Sequence, residues 1–332
     1  MKILFATYPT AFHTPGGGEI QLLAYRDQLL SLGVKVDFYN QWHPQFHKYD
    51  LVHFFSCMGG SVHFCNFIKG IGLPLVVSSS LWITEATKEL YPFEEIREML
   101  RLADLVITNS NMESNQLSKI FNMPEIKFET ILNGVDQDFE IIVPGKLFRN
   151  KYEIYEEFIL NVGNIEPRKN QLNLIKAIKL MPHMKVVLIG NIRDKNYFLE
   201  CVKEGGDQLK YIGFLDHSSN LLKSAYDACK VFCLPSTLET PGLAALEAFT
   251  IGVPIAITAE GSTSEYFGDS VEYLDPANIV SIFAAVNRLI LKEHSVDGLR
   301  SKAPLWRDEA HKLKNLYAGL IKCGFKFEAQ RA

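Results

Sequence analysis

The chain lacks the features that would place it in several large classes. No stretch of about eighteen uninterrupted apolar residues occurs, so a membrane-spanning helix is not expected. An excess of basic charge is also missing: 34 Lys and Arg stand against 38 Asp and Glu, a net charge of -4. That balance carries no footprint of nucleic-acid binding, and no polybasic helix marks the first half. The six cysteines are scattered, with no Cys-x-x-Cys pair and no ladder of histidines, so neither a disulfide framework nor a metal site is expected. Buried free thiols in a reducing compartment fit that pattern. The opening Met1 to Ala6 has too short an apolar run for a signal peptide and reads as a first β-strand. A cytoplasmic protein is expected, with peripheral contact at the inner face of a membrane left open. Internal repeats and low-complexity segments are missing as well.

What is present is ordinary globular composition, 47% hydrophobic and 22% charged, over 332 residues, too many for one core of typical size. The first half alternates apolar strands with amphipathic helices: strands at Ile3–Ala6, Val34–Tyr39, Leu51–Phe55, Leu75–Ser78 and Leu105–Asn109, helices at Glu19–Leu32 and around Phe93–Leu102. A second series begins near Glu157 and runs through strands at Phe158–Val162, Lys185–Gly190, Val231–Leu234 and Pro254–Thr258 to a helix at Ile279–Leu291. Such alternation predicts parallel sheets covered by helices on both faces. The expected fold is α/β, two Rossmann-like domains facing a cleft, over residues 1–150 and 151–304. The aperiodic stretch Phe139–Glu156, with Pro144-Gly145, reads as the linker.

The most informative segment is Leu238-Glu239-Thr240-Pro241-Gly242-Leu243-Ala244-Ala245-Leu246-Glu247. It follows the apolar run Val231–Leu234, so the order is strand, tight turn, helix. The helix start leaves backbone N–H groups at Gly242, Leu243 and Ala244 that suit a phosphate. Two carboxylates beside such a site would repel the phosphate itself. They suit hydroxyl-rich groups on either side of it, a sugar at one end and a ribose at the other, as in a nucleotide-sugar. The spacing alone is weak, because glutamate is common on solvated helix faces.

The segment resembles the paired-glutamate motif of the retaining glycosyltransferases of family 4, which have the two-domain GT-B fold. The resemblance implies that Glu239 lies by the donor sugar and Glu247 holds the ribose. Other blocks follow in the family's order. Pro15-Gly16-Gly17-Gly18-Glu19 resembles the glycine loop that meets the donor diphosphate and sugar, giving Gly17 and Gly18. It is not the Gly-x-Gly-x-x-Gly fingerprint, which speaks against a nicotinamide-dependent oxidoreductase. In Asn161-Val162-Gly163-Asn164-Ile165-Glu166-Pro167-Arg168-Lys169-Asn170, Asn164 stands where the family usually has arginine. Lys169 matches the family's lysine, and Arg168 is taken as the substitute for the missing arginine. Fixed cations there would stabilise a departing diphosphate more than the bound donor. Tyr211-Ile212-Gly213-Phe214-Leu215 resembles the stretch lining the base pocket, so Gly213 and Phe214 are expected at the donor. Gly261 to Asp269 and Asn133-Gly134-Val135-Asp136 match further blocks and read as structural, the second as a turn.

The resemblance further implies that residues 305–332 pack back on the first domain and that no divalent ion or other cofactor is required. The implied partners are a GDP- or UDP-linked sugar and a saccharide or lipid-linked acceptor. One departure is plain. Many members carry a histidine after the fourth strand, where this chain reads Ser78-Ser79-Ser80-Leu81-Trp82. Ser80 falls near that position and His13 lies beside the glycine loop; both are expected to contact sugar or acceptor. His53, at a strand end, reads as a core residue. The missing histidine leaves a rival open, a protein that binds nucleotide-sugar without turning it over.

Overall fold

The computed structural model describes residues 1–292 and 303–328, with side chains to residue 322. It divides into two compact units, Met1–Gly134 joined by the chain from Pro304, and Val135–Ala303. In the first unit, six strands form one parallel sheet in the order β2-β1-β3-β4-β5-β6. They are β1 (Lys2–Thr7), β2 (Lys35–Phe38), β3 (Leu51–Phe55), β4 (Leu75–Ser78), β5 (Leu105–Thr108) and β6 (Phe128–Thr130). Strands β3, β4 and β5 are buried along their whole length, which is why they read as continuous apolar runs rather than as alternation. The sheet is covered by α1 (Gly17–Ser31), α2 (Val62–Gly70), α3 (Phe93–Leu102) and α4 (Asn111–Phe121). Sequence periodicity missed β6, α2 and α4. The first is only three residues long, and α4 is a polar helix set by its N-cap, where Ser110 accepts from the Glu113 amide.

The second unit repeats the plan in the order β12-β11-β10-β7-β8-β9. Its strands are β7 (Phe158–Val162), β8 (Lys185–Ile189), β9 (Leu209–Gly213), β10 (Val231–Leu234), β11 (Ile255–Thr258) and β12 (Glu272–Leu274), all paired in parallel. The helices used below are α5 (Lys146–Tyr152), α6 (Gln171–Ile178), α8 (Asn220–Ala228), between which α7 (Lys195–Gly205) falls, and α9 (Leu243–Ile251). Then come α10 (Thr263–Phe267) and α11 (Ile279–Leu291).

The expected boundary at residue 150 is corrected by this division, and Phe139–Glu156 is not a linker. The segment folds as a 3₁₀ turn, Gln137–Glu140, and the helix α5. Phe139 and Phe148 are buried at 1% and 0% exposure, and the Gly145 amide donates to Asp227 on α8. Burying only one residue in each of these short elements leaves no period to read from sequence.

The helix α12 (Trp306–Glu328) belongs to the first unit. Trp306 meets Tyr25 of α1 edge to face at 5.3 Å, Glu309 accepts the Leu132 amide, and Lys314 donates to the Leu32 carbonyl. His53 is indeed a core group, bonded to Ser78 and to Tyr317 of α12, and burial pushes its imidazole down to about 3. Cys57, Cys65, Cys201, Cys229 and Cys233 are free thiols; the Cys323 side chain lies outside the described residues.

Gly134, at the end of the first unit's continuous segment, fits because it has no side chain. A Cβ there would lie 2.4 Å from the Trp306 backbone nitrogen. Gly134→Ala is therefore expected to lower the melting midpoint by about 3–10 °C, the shift for an overpacked backbone contact. Gly18→Ala, where an added Cβ meets nothing within 4 Å, is the control. Equal midpoints for the two variants would contradict the close approach.

Candidate functional site

In open parallel sheets, ligands bind beyond the carboxyl ends of the strands where the strand order reverses. In the second unit that point lies between β7 and β10, and the loops leaving these strands carry Gly163–Asn170 and Pro235–Gly242. The two loops are tied together. Asn170, at φ 59°, a conformation asparagine tolerates, donates its amide to the carbonyls of Pro235 and Pro276. The Thr237 amide donates to the Arg168 carbonyl.

Held this way, Lys169 and Glu239 meet: Nζ lies 2.6 Å from Oε1, with side chains 14% and 6% exposed. The lysine stem runs over Gly163, where a Cβ would be 3.5 Å from Cε. Arg168, 48% exposed, lies 4.0 Å from the same Glu239 oxygen, donates to the Leu238 carbonyl and sits 3.4 Å from Glu166. Burial acts to raise the Glu239 carboxyl, but the Lys169 and Arg168 charges outweigh it and hold it below the usual carboxylate range. Burial lowers Lys169, opposed by Glu239.

The Glu239 backbone is clamped from the other side. Its amide donates to Glu260, its carbonyl accepts from Ser262, and a Cβ on Gly261 would fall 2.1 Å from that carbonyl oxygen. The Gly261–Asp269 block is thus structural at its first residue. Ser262 Oγ, fully buried beside this clamp, has no hydrogen-bond partner among the described residues.

Helix α9 opens at Leu243 after Gly242, whose φ of 93° suits glycine, and no side chain caps it. Gly242 is buried, while Leu243 and Ala244 are half-buried. The Glu239 carboxylate stands at this helix start rather than beside it, since a Cβ on Gly242 would be 3.3 Å from Oε2.

Glu247, in the second turn of α9, is 2% exposed and lies in a different environment. Tyr226 of α8 donates to Oε2 at 2.7 Å, and His217 Nε2 is 3.0 Å from Oε1. Burial raises the Glu247 carboxyl above its usual range; the His217 and Tyr226 contacts oppose this. Gly213 ends β9 at φ 90°, and Phe214 beyond it is 60% exposed. His217, Tyr226 and the buried Phe139 were missed in the sequence. A histidine four residues after Gly213 was the available signal.

Asp136-Gln137-Asp138 has the spacing of a two-carboxylate metal motif, but Asp138 is 76% exposed and lies 4.0 Å from Lys223. Among the described residues no group of three or more His, Cys, Asp or Glu is placed to hold a metal ion.

In the first unit the strand order reverses between β1 and β3, and a pocket lies there, lined by Tyr8, Gly18, Glu19, Gln21, Ser56 and Ser80 among others. Gly17 opens α1, and Glu19 accepts from the Gly16 amide at 2.7 Å and from Tyr8 at 3.2 Å. The glycine loop is open rather than strained. Ser80 is exposed at φ 44°, fixed by Glu113, which accepts from Ser79 Oγ and the Leu81 amide. Its hydroxyl donates to Gln21 and accepts from Asn109. His13 is exposed at the end of a short 3₁₀ turn and does not line the pocket.

Two Rossmann-like parallel sheets with charged groups at one strand-order reversal define the GT-B class of glycosyltransferases. The family model for glycosyl transferases group 1 matches residues 146–306, and that for glycosyltransferase family 4 matches residues 13–139. The chain belongs to glycosyltransferase family 4. It is 28% identical over 207 residues to an O-antigen chain mannosyltransferase B of Escherichia coli, covering 59% of this chain and 54% of that one. With an uncharacterised glycosyltransferase of Methanocaldococcus jannaschii it shares 27% over 263 residues, 73% and 66% of the two chains. The chain thus spans between about half and two thirds of these relatives. The fold matches Anabaena HepE in complex with UDP and glucose at a TM-score of 0.78, with 19% identity over 96% of this chain and 99% of that one. No helix among the described residues is long and apolar enough to cross a membrane.

The Lys169–Glu239 contact makes a stability prediction. A carboxylate held below its unfolded value stabilises the fold above about pH 4.3 and loses that contribution as pH falls through the lowered value. Lys169→Met leaves the buried carboxylate with only the half-exposed Arg168 at 4.0 Å and is expected to cost about 3–5 kcal/mol at neutral pH. The double variant Lys169→Met/Glu239→Gln should recover most of that loss in urea denaturation. A double variant no more stable than the single one would mean that the charges are not coupled.

Proposed function

We propose that the protein is a retaining glycosyltransferase that moves a hexose from a nucleotide-sugar to a saccharide or lipid-linked acceptor in surface polysaccharide or glycoconjugate synthesis. The observation that carries this reading is the buried Lys169–Glu239 pair, with Arg168 beside it, at the helix start that leads to Glu247. In the reading, Lys169 and Arg168 turn to the donor diphosphate and take up the charge that grows on it as the C1–O bond breaks. Glu239, released from part of its pairing, lies by the sugar ring, where positive charge develops. Glu247 accepts from the ribose hydroxyls, and backbone and ring at Gly213 and Phe214 border the base.

The acceptor oxygen bonds to C1 on the face the diphosphate leaves, and its proton passes to the departing phosphate oxygen. No protein base is then needed, which accommodates Ser80 in place of a histidine. The pocket of Gly18, Glu19 and Ser80 receives sugar or acceptor hydroxyls. His13 is left with no role in it.

The mannosyltransferase relative favours GDP-mannose as donor, and the UDP complex of the structural neighbour keeps UDP-sugars in the comparison. Because the two cations meet the diphosphate, turnover is proposed to need no divalent ion. We place the enzyme in the cytoplasm, reaching a lipid-linked acceptor from the inner face of the membrane.

A thermal-shift panel of UDP-, GDP- and ADP-sugars identifies the donor, since a ligand of the folded state raises its midpoint. Donor hydrolysis then separates an enzyme from a binding protein. With the donor known, Lys169→Ala should lower kcat/KM about ten- to a thousand-fold. Activity within twofold of the parent would remove Lys169 from the site. Glu239→Gln should lower kcat more than it raises KM, because the ring charge it faces exists only in the transition state, whereas Glu247→Gln should act mainly on donor KM. Unchanged donor kinetics in both variants would place the donor site elsewhere. EDTA should leave turnover intact; loss restored by manganese would overturn the metal-free reading.

A further inference from the structure

His217 lies outside every motif that the sequence presented, yet its geometry links two parts of the donor site. It sits on the loop that follows Gly213 and Phe214, and its Nε2 is 3.0 Å from Glu247 Oε1 on α9. The ring is held on its other side by Phe139, with centroids 5.6 Å apart. The other carboxylate oxygen is taken by Tyr226 at 2.7 Å. An ionised carboxylate can only accept, so Nε2–H is the donor. Each oxygen of a carboxylate has two acceptor positions, which leaves one on each for a ribose hydroxyl.

Resting on the donor-site reading above, we propose that His217 is the positioning residue of the nucleoside half. It fixes the Glu247 carboxylate in its ionised form and in register with the base-lining loop, and thereby sets the preference for ribonucleotides over 2′-deoxyribonucleotides. The chemical need is specific. Glu247 is almost fully buried, and Tyr226 is a neutral phenol on the opposite oxygen, so among the described residues His217 alone holds Oε1 toward the base-lining loop. The remaining charged groups around the cluster do not replace it. Asp136, before the turn at Phe139, pushes the proton onto Glu247 rather than off it. Lys223 of α8 is turned to Asp138 at 4.0 Å and to the Phe139 ring at 5.4 Å. A protonated Glu247 would present one acceptor fewer and no charge to the ribose, and hydrogen bonds to neutral acceptors are weaker.

The test is calorimetric titration of the full chain with UDP, GDP and their 2′-deoxy counterparts. The parent should prefer one ribonucleotide over its deoxy form by about tenfold or more. His217→Leu should weaken the ribonucleotide by about ten- to a hundred-fold, the worth of a hydrogen bond to a charged group, and bring the ribo/deoxy ratio close to one. His217→Gln, which restores a neutral N–H donor without charge, should regain much of the ratio. In the leucine variant, the rise of ribonucleotide affinity as Glu247 ionises should move to higher pH than in the parent, because the His217 contact that opposes the raised carboxyl is gone. Undiminished affinity and ratio in His217→Leu, or a glutamine variant no better than the leucine one, would overturn the assignment. A parent that binds neither UDP nor GDP would instead overturn the donor-site reading itself, and this inference with it.

Discussion

A buried carboxylate left alone costs several kcal/mol, far more than any exposed ion pair returns, so Glu239 can be where it is only because Lys169 is there too. The two residues are 70 positions apart in sequence and come from the loops after β7 and β10. Everything that fixes those loops serves the contact. Asn170 ties the first loop to Pro235, Gly163 lets the lysine stem pass, and Gly261 admits the Glu239 carbonyl. The strand order supplies the rest, because only at its reversal do two adjacent strands send their following loops apart and leave room for a ligand. The pair is therefore a structural constraint and, in the proposed function, also the charge reserve for chemistry.

The first unit uses the same sheet geometry with a different kind of lining. Around its strand-order reversal the polar groups are neutral hydroxyls and amides, apart from Glu19, which is engaged by the Gly16 amide and Tyr8. Behind the pocket, buried Gln21 donates to Asn109 and Asn133 and accepts from Ser80, and buried Glu113 accepts from Ser79 and from the Leu81 and Asn109 amides. A lining of that kind suits hydroxyl groups and offers no cation to a phosphate. The two units thus differ in electrostatics more than in fold.

The sequence made the strands legible because parallel strands are buried on both faces and read as apolar runs; β3, β4, β10 and the helix Ile279–Leu291 lie where the pattern placed them. Short or polar elements were not legible. Strand β6 has too few residues for a period, α4 owes its start to Ser110, and α5 is held by long-range contacts to α8 that no local pattern encodes. The boundary was misplaced for the same reason. At the site, Lys169 and Glu239 could be named from motifs, but their mutual contact could not, because it depends on tertiary placement. His13 shows the converse: proximity to a motif in sequence put it beside a pocket it does not line.

The two glutamates of the motif look alike in sequence and diverge in the fold. Both are buried, so burial alone would raise both. What separates them is the partner: two cations pull Glu239 down, while a tyrosine hydroxyl and a histidine only moderate the rise at Glu247. Environments that drive two carboxyls in opposite directions are how one site assigns them different work. In the proposed function, Glu239 stays charged where a developing positive charge needs a counter-ion. Burial raises the Glu247 carboxyl, and the His217 and Tyr226 contacts oppose that rise; in the proposed function the demand on it is a steady hydrogen bond to a hydroxyl.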